Sequence, residues 1–517
     1  MNSERIESRA RWGMLAVLCA SVFLVMMDVT ILNVALPALI TDLQPDPLTQ
    51  LWIVDIYSLL LGGLLVLCGG LGDRIGRKRM FLAGWVVFAL ASVIAATASA
   101  SWQLILGRAL CAIGAAMLMP STVSMIRNIF TDDRERVRAI AVWSAVTGLG
   151  AAAGPVVGGL LVQNYGWRSA FWLNVPCAIA LLLVAIPLLP EFRSPSRGSL
   201  DWVGAVLSVV GIMTLAWGIK HTAAGGLTLG DVLVLALAMG LLVLFARRQL
   251  RLDDPLLDVR LFRRGPFTAA TIATFVPQVA LGAMLLLFTL WLQYIQGYSP
   301  IQAGLRILPV AFAALVGALI APHVMDKAGV RTTMGASLVA VVAGFITLGF
   351  APVPTTYPTI AGVQIALGLG AGVVTTIASS VLVAAVPADR AGQAGAVSET
   401  SYDLGQGVGV ALLGSIHGAI FATHMTDLPL TGADLDSARG SVGGAAAVAA
   451  RVGGQAGETI MDQARSAFDA ALTTTAFVGA VITVLAALLV VRLTPRAFTM
   501  STSGGEYEKT RKDFADR

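Results

Sequence analysis

Fourteen runs of mostly apolar residues set the limits on what this chain can fold into. Each approaches or exceeds the roughly 20 residues that carry a helix across a bilayer. They fall at about 12–37, 50–71, 80–100, 102–125, 138–163, 168–190, 202–220, 229–247, 267–293, 300–322, 331–352, 357–380, 394–422 and 466–492, numbered here as spans 1 to 14. Of the 517 residues, 13% are charged and 56% hydrophobic, and the mean hydropathy is +0.80. A soluble domain averages about 25% charged residues. The pattern predicts an all-α integral membrane protein. The first run has the length of a full span and no A-x-A-like cleavage site after it, so it is expected to stay as span 1. Cys19, Cys68, Cys111 and Cys177 sit in apolar runs without C-x-x-C spacing. They read as small core residues, not as a disulfide or metal framework.

The net charge of +5 reads as topology. With the N-terminus placed in the cytoplasm, the inner segments carry 28 of the 35 Lys and Arg. The outer segments carry Arg168, Lys220, Arg306, Arg439, Arg451 and Arg465, and Arg108 lies within span 4. The positive-inside rule then puts both termini in the cytoplasm. Basic clusters such as Arg77-Lys78-Arg79 and Arg263-Arg264 anchor inner loops near anionic lipid. Nucleic acid is not implied as a partner.

The chain also repeats itself. After span 2 it reads Gly72-Asp73-Arg74-Ile75-Gly76-Arg77-Lys78, and after span 10 Met325-Asp326-Lys327-Ala328-Gly329-Val330-Arg331. Acidic, basic, glycine and basic residues recur at the same offsets. Arg108 precedes Gly114 as Gln364 precedes Gly370, and glycines 150, 154 and 159 match glycines 405, 409 and 414. Spans 1–6 therefore match spans 9–14, with spans 7–8 inserted between them. Parallel six-helix repeats with a substrate site between them near the midplane describe a major facilitator transporter.

The motifs agree. Gly69 to Arg79, with Asp73, Arg74, Gly76 and Arg77, resembles the superfamily's gating signature between helices 2 and 3. There an acid meets a helix N-terminus and basic groups. Gly150-Ala151-Ala152-Ala153-Gly154-Pro155-Val156-Val157-Gly158-Gly159 resembles the GxxxGPxxGG antiporter motif of helix 5, whose glycines and proline allow close helix approach and a kink. The stretch from Asp28 to Pro37 and Gly166-Trp167-Arg168 are similar to the 14-helix drug:proton antiporter family. Within it, Leu51-Trp52-Ile53-Val54-Asp55-Ile56-Tyr57-Ser58-Leu59 resembles the quaternary-ammonium multidrug exporters. One departure stands in helix 4, where Cys111 and Ala112 replace the usual glutamine and glycine after the arginine.

The resemblance covers nearly the whole chain except the tails and a long outer loop. It implies a major facilitator fold with 14 transmembrane helices: a six-helix bundle over 1–190, a linker with two inserted helices over 191–265, a second bundle over 266–492, and a cytoplasmic tail over 493–517. The outer loop 423–465 is rich in Gly and Ala and too long for a minimal connection. Gly457 to Ala471 is expected as a short helix leading into span 14, and the polar tail as disordered.

Asp28, Asp55, Glu399 and Asp403 fall inside the apolar runs, with Arg108 the one arginine among them. An ionised carboxylate near the bilayer centre costs roughly 2.5–3.5 kcal/mol on insertion scales. A chain with four of them, mostly unpaired, is expected to use them for protons, metal ions or organic cations. Asp28 shares a patch with Thr30 and Asn33. Since desolvation favours a neutral acid, it is the candidate shared proton and cation site; the alternative is a structural hydrogen-bond partner. Trp52 precedes Asp55 on one helical face, with Tyr57 nearby. Charge beside π density suits a quaternary ammonium; the alternative is an interfacial Trp and a solvated Asp. Glu399 and Asp403 share a face at about 6 Å, where at an effective dielectric near 20 two charges repel by roughly 2.8 kcal/mol. Both are not expected to be ionised together, and they resemble the family's acidic pair on helix 13. His417, eighteen residues after Glu399 and so on the same face, reads as an outer-end polar residue. Arg108 needs a buried acceptor, either across a cavity or at backbone carbonyls.

The resemblance implies a monomeric, proton-coupled exporter of hydrophobic organic cations (quaternary ammonium compounds, dyes and antiseptics) in the cell inner membrane, with no catalysis, cofactor or metal. No GxxxxGK[ST] phosphate loop occurs. Export of an endogenous metabolite, antibiotic or lipid is the alternative within the class. A sensor would want a soluble output domain, and a channel would not need two repeated halves.

Overall fold

The computed structural model describes residues 8–193, 201–226, 228–252, 255–386, 391–426, 428 and 430–495. Among the described residues, fourteen helices are long and apolar enough to cross a membrane. The first six are α1 Ala10–Leu43, α2 Pro47–Ile75, α3 Arg77–Ala96, α4 Ser101–Ile129, α5 Arg138–Tyr165 and α6 Arg168–Leu188. The inserted pair is α7 Trp202–Thr222 and α8 Leu229–Arg251. The last six are α9 Gly265–Ile295, α10 Pro300–Ala328, α11 Val330–Gly349, α12 Tyr357–Ala384, α13 Ala394–His424 and α14 Gly454–Leu493. An even number of crossings brings the start of α1 and the end of α14 to one face, called here the terminal side; the other is the distal side.

Local chemistry starts and stops these helices. Asp46 accepts from the Leu48 and Thr49 amides at 3.1 Å, with Pro47 as the first helical residue of α2. Ser299 and Gln302 form a reciprocal cap ahead of α10, which also begins on a proline. The repeated loop turns both times on glycine at positive φ, Gly76 at 114° and Gly329 at 77°. The internal repeat is thus carried by backbone geometry as well as by residue type.

The N-terminal half packs α1–α6 around Phe81, Trp85, Phe88 and Phe130. The C-terminal half has two cores, one around Trp291, Phe345 and Phe468, the other on the terminal side around Phe267, Met334 and Val490. The halves meet where α2 packs on α13 and α5 on α10. A shared apolar core joins Leu32, Leu36 and Ile40 of α1 to Leu286 of α9 and Val410 of α13. Inter-half hydrogen bonds lie on the same side: Gln293 Nε2 donates to Val34 O at 3.1 Å, and the Tyr294 hydroxyl to Pro37 O at 3.2 Å. The structure is therefore joined from mid-membrane to the distal face, while the terminal-side cores of the two halves stay separate. The inserted pair lies outside the bundles, α7 against α2 and α13, with α8 turning Leu233, Leu237, Met239 and Leu244 outward as a lipid-facing surface.

One expectation changes. The short helix foreseen at 457–471 is continuous with the last span, as α14 runs unbroken from Gly454 to Leu493. The rest of the outer loop holds two short helices, Gly432–Gly440 and Val442–Val452, packed into the C-terminal core beside Phe468 and reaching across to the N-terminal half. Gln50 Nε2 donates to Ser441 Oγ at 3.2 Å, and Val442, Ala445 and Val448 are buried. Small residues let these helices approach closely: a Cβ at Gly443 would lie 2.7 Å from Ile40 Cγ2. The tail expected to be disordered falls, beyond residue 495, outside the described residues.

Candidate functional site

Asp28 is fully buried in the middle of α1 but not unpaired. Arg108 Nη1 of α4 donates to its Oδ2 at 2.9 Å, and Asn174 Nδ2 of α6 to its Oδ1 at 2.7 Å. Asn174 also reaches Ser92 Oγ of α3 at 3.2 Å. The Arg108 guanidinium lies 4.4 Å from the Tyr57 ring centroid. Arg108 thus bonds a carboxylate, a charge-assisted contact stronger than one to a neutral backbone carbonyl. Cys111 and Ala112 are fully buried, and the Cys111 thiol lies 3.7 Å from Ser92 Oγ. Asn174 was missed, although an amide in the apolar sixth span was the available signal.

Asp55 is also buried and paired, and its partner overturns an expectation. Lys220, assigned by charge counting to an outer segment, is buried at the end of α7. Its Nζ donates to Asp55 Oδ1 at 2.8 Å and stands 3.5 Å from the Trp52 ring centroid. Asp55 is therefore not solvated, and Arg108 is not the only cation within the spans. The sequence could not foresee this, since nothing in it fixes how an inserted helix rotates against α2.

Glu399 and Asp403 differ from both. Asp403 is buried with its Oδ2 unpartnered, and Glu399, one turn nearer the terminal side, is half-buried. Among the described residues neither has a hydrogen bond or an ion pair. Their helix is held tightly: a Cβ at Gly407 would lie 2.8 Å from Leu59 of α2, and one at Gly405 would lie 2.6 Å from Phe275 O of α9. Tyr57, whose ring lies under Arg108, has a buried hydroxyl with no partner. Gln364, the repeat's counterpart of Arg108, is fully buried with both amide atoms unpartnered.

His417 does not share the face of Glu399. A π-helical turn at Val410–Gly414 intervenes, and one extra residue rotates the remainder of the helix by about 100°. The imidazole is buried against Phe468, with ring centroids 4.4 Å apart, and its Nε2 has no partner. The count of intramembrane carboxylates also rises. Asp469 of α14 is buried, but its oxygens accept from the Trp291 indole and the Thr355 amide, both at 2.9 Å.

The glycines of the helix-5 motif seat α5 on the helix that carries Asp28. A Cβ at Gly150 would lie 2.5 Å from Phe23 O, one at Gly158 2.5 Å from Ile31 Cγ1, and one at Gly154 would collide with Thr30 Oγ1. Gly159 faces the other half, 2.6 Å from Ile301 Cα by the same measure, and Gly304 of α10 abuts Pro155 O. In the loop between α2 and α3, Asp73 pairs with Arg77 across the Gly76 turn, and Glu191 beyond α6 accepts from the Lys78 amide at 3.1 Å. Arg74 is exposed. Distally, Trp167 and Arg168 donate to Asp42 at 3.0 and 2.6 Å, tying the start of α6 to the end of α1. Among the described residues no three His, Cys, Asp or Glu side chains gather into a metal site.

Two helical bundles joined on one side, with carboxylates buried where they meet, are the architecture of a membrane transporter. The chain belongs to the Major Facilitator Superfamily, whose family model matches residues 18–410. It is 40% identical over 491 residues to the multidrug efflux pump LfrA of Mycolicibacterium smegmatis, covering 95% of this chain and 97% of the relative. It is 33% identical over 462 residues to the methyl viologen resistance protein SmvA of Salmonella typhimurium, covering 89% and 93%. Among solved structures it resembles a bacterial homologue of the human lysosomal transporter Spinster in an inward-facing and occupied conformation. That match has a TM-score of 0.67 at 18% identity and covers 96% of this chain and all of the other.

Proposed function

We propose that this protein is a drug exporter, specifically a proton-coupled antiporter that moves hydrophobic organic cations, including quaternary ammonium compounds, dyes and antiseptics, out across the cytoplasmic membrane. The observation that carries this reading is the unmatched acidic pair on α13: Asp28 and Asp55 each hold a cation, while Glu399 and Asp403 hold none among the described residues. Two close carboxylates suit either a proton or a cationic cargo, and exchange between the two is what antiport requires. Relatives named as a multidrug efflux pump and a methyl viologen resistance protein support it, methyl viologen being a compound with two fixed positive charges. The excess of Lys and Arg on the terminal side supports cytoplasmic termini, so the separated side faces the cytoplasm and the joined side faces out. Asp28, held by Arg108, is the second titratable element: a proton on Asp28 releases the guanidinium from its carboxylate. A membrane potential of about 100 mV supplies roughly 2.3 kcal/mol per charge.

The test is reconstitution of the full chain in proteoliposomes with an imposed proton gradient and ethidium or methyl viologen as cargo. Uphill cation movement that stops with a protonophore is the expected result, with cation binding releasing protons. Cation flux that ignores the proton gradient removes the antiport reading, and absence of any cation flux removes the substrate class.

A further inference from the structure

The inserted helix carries its own cation. We infer that Lys220 is a tethered competitor: its ammonium fills the Asp55–Trp52 site that a cargo cation would otherwise occupy, so α7 sets which cations the transporter accepts. This rests on the organic-cation reading above and adds a specificity-determining residue to it. Lys220 Nζ makes both contacts that recognise an alkylammonium, 2.8 Å to a carboxylate oxygen and 3.5 Å to the centroid of an indole. An ion pair that only fastened α7 to α2 would need no aromatic face beneath the nitrogen. Nor is Asp55 saturated, as its Oδ2 is buried without a partner.

The lysine also has somewhere to go. It lines a cavity of about 300 Å³ on the distal side, with Leu51, Leu287, Ser415, His417 and Phe421 also in the wall. The unpartnered His417 Nε2 belongs to the same wall and offers an acceptor to a displaced ammonium. With Lys220 in place, Asp55 is engaged, while Glu399 and Asp403 on α13 have no cation among the described residues. Once Lys220 leaves, Asp55 becomes a further carboxylate for the cargo, so cations with two charged centres gain most from its absence.

The experiment is equilibrium binding of tetraphenylphosphonium and of methyl viologen to the full-length protein in nanodiscs. Lys220→Met is expected to bind the monocation about tenfold tighter and methyl viologen by a larger factor. The gain should vanish in Asp55→Asn/Lys220→Met, and Lys220→Arg should restore the weaker affinity. A folded Lys220→Met that binds no tighter overturns the inference, as does a gain that survives Asp55→Asn. Should Lys220→Met not fold, the wild-type protein still decides. Acylation of Lys220 by an amine-reactive ester, read by mass spectrometry, is expected to quicken several-fold with saturating tetraphenylphosphonium. An unchanged or slower rate means the lysine is structural. If neither cation binds the wild type or Lys220→Met, the organic-cation reading has failed and takes the inference with it. If the wild type binds cations and only the Lys220 results are negative, the inference fails alone.

Discussion

The two halves treat buried negative charge in opposite ways. In the N-terminal half Asp28 is held by Arg108 and Asn174, and Asp55 by a lysine from the insert. In the C-terminal half the position matching Arg108 is Gln364, and Glu399 and Asp403 have no cation among the described residues. The two halves of the repeat thus differ in whether their buried acids have a charge partner. Where an internal partner exists, removing it leaves an uncompensated buried charge, which is strongly destabilising. Where none exists, the missing positive charge is free to come from outside. The first arrangement stabilises a conformation and the second receives a mobile ion.

The contrast is broken most directly at α13. Neutralising one member of the pair, Asp403→Asn or Glu399→Gln, should weaken monocation binding by about a hundredfold. That is the loss of roughly 2.8 kcal/mol for charges 6 Å apart at an effective dielectric near 20. Thermal unfolding in detergent should be unchanged or delayed, because no internal ion pair is lost. If these variants unfold earlier and bind normally, the pair is structural.

Arg108→Leu should behave in the reverse sense, destabilising the protein by about 3 kcal/mol. Much of that loss should be recovered in Arg108→Leu/Asp28→Asn, as measured by a double-mutant cycle of unfolding. Additive losses would mean that the two residues do not act as a pair.

Gly154→Leu tests whether the helix-5 motif serves movement more than binding. The new side chain meets Thr30 and Met27 O of α1, so transport in proteoliposomes should fall by about tenfold while equilibrium cation binding stays near normal. Normal transport would show that α5 and α1 need not stay in contact.

The smallest effect is expected at Asp469, whose oxygens already accept from two neutral donors. Asp469→Asn should cost about 1 kcal/mol of stability and leave binding alone. A binding defect there would place a third functional acid in the C-terminal half.

The number of spans, the two-copy organisation and the four carboxylates worth examining were legible in the chain because hydropathy and residue repetition are local properties. An acid in an apolar run stands out wherever its helix is later placed. What the acids do was not legible. Asn174 and Lys220 are separated from their partners by 146 and 165 residues, and no periodicity says which face of α6 or α7 turns toward them. The eighteen-residue spacing from Glu399 to His417 misled because the π turn at Val410–Gly414 leaves no mark in the pattern. Sequence alone therefore determined that this is a fourteen-helix membrane transporter with acids in its interior, because crossing a bilayer demands apolar length and tolerates few charges. Only the tertiary structure decided which of those acids are already satisfied, because ion pairing depends on the rotation and depth of separate helices. Those are set by packing between distant segments and are written in no single one of them.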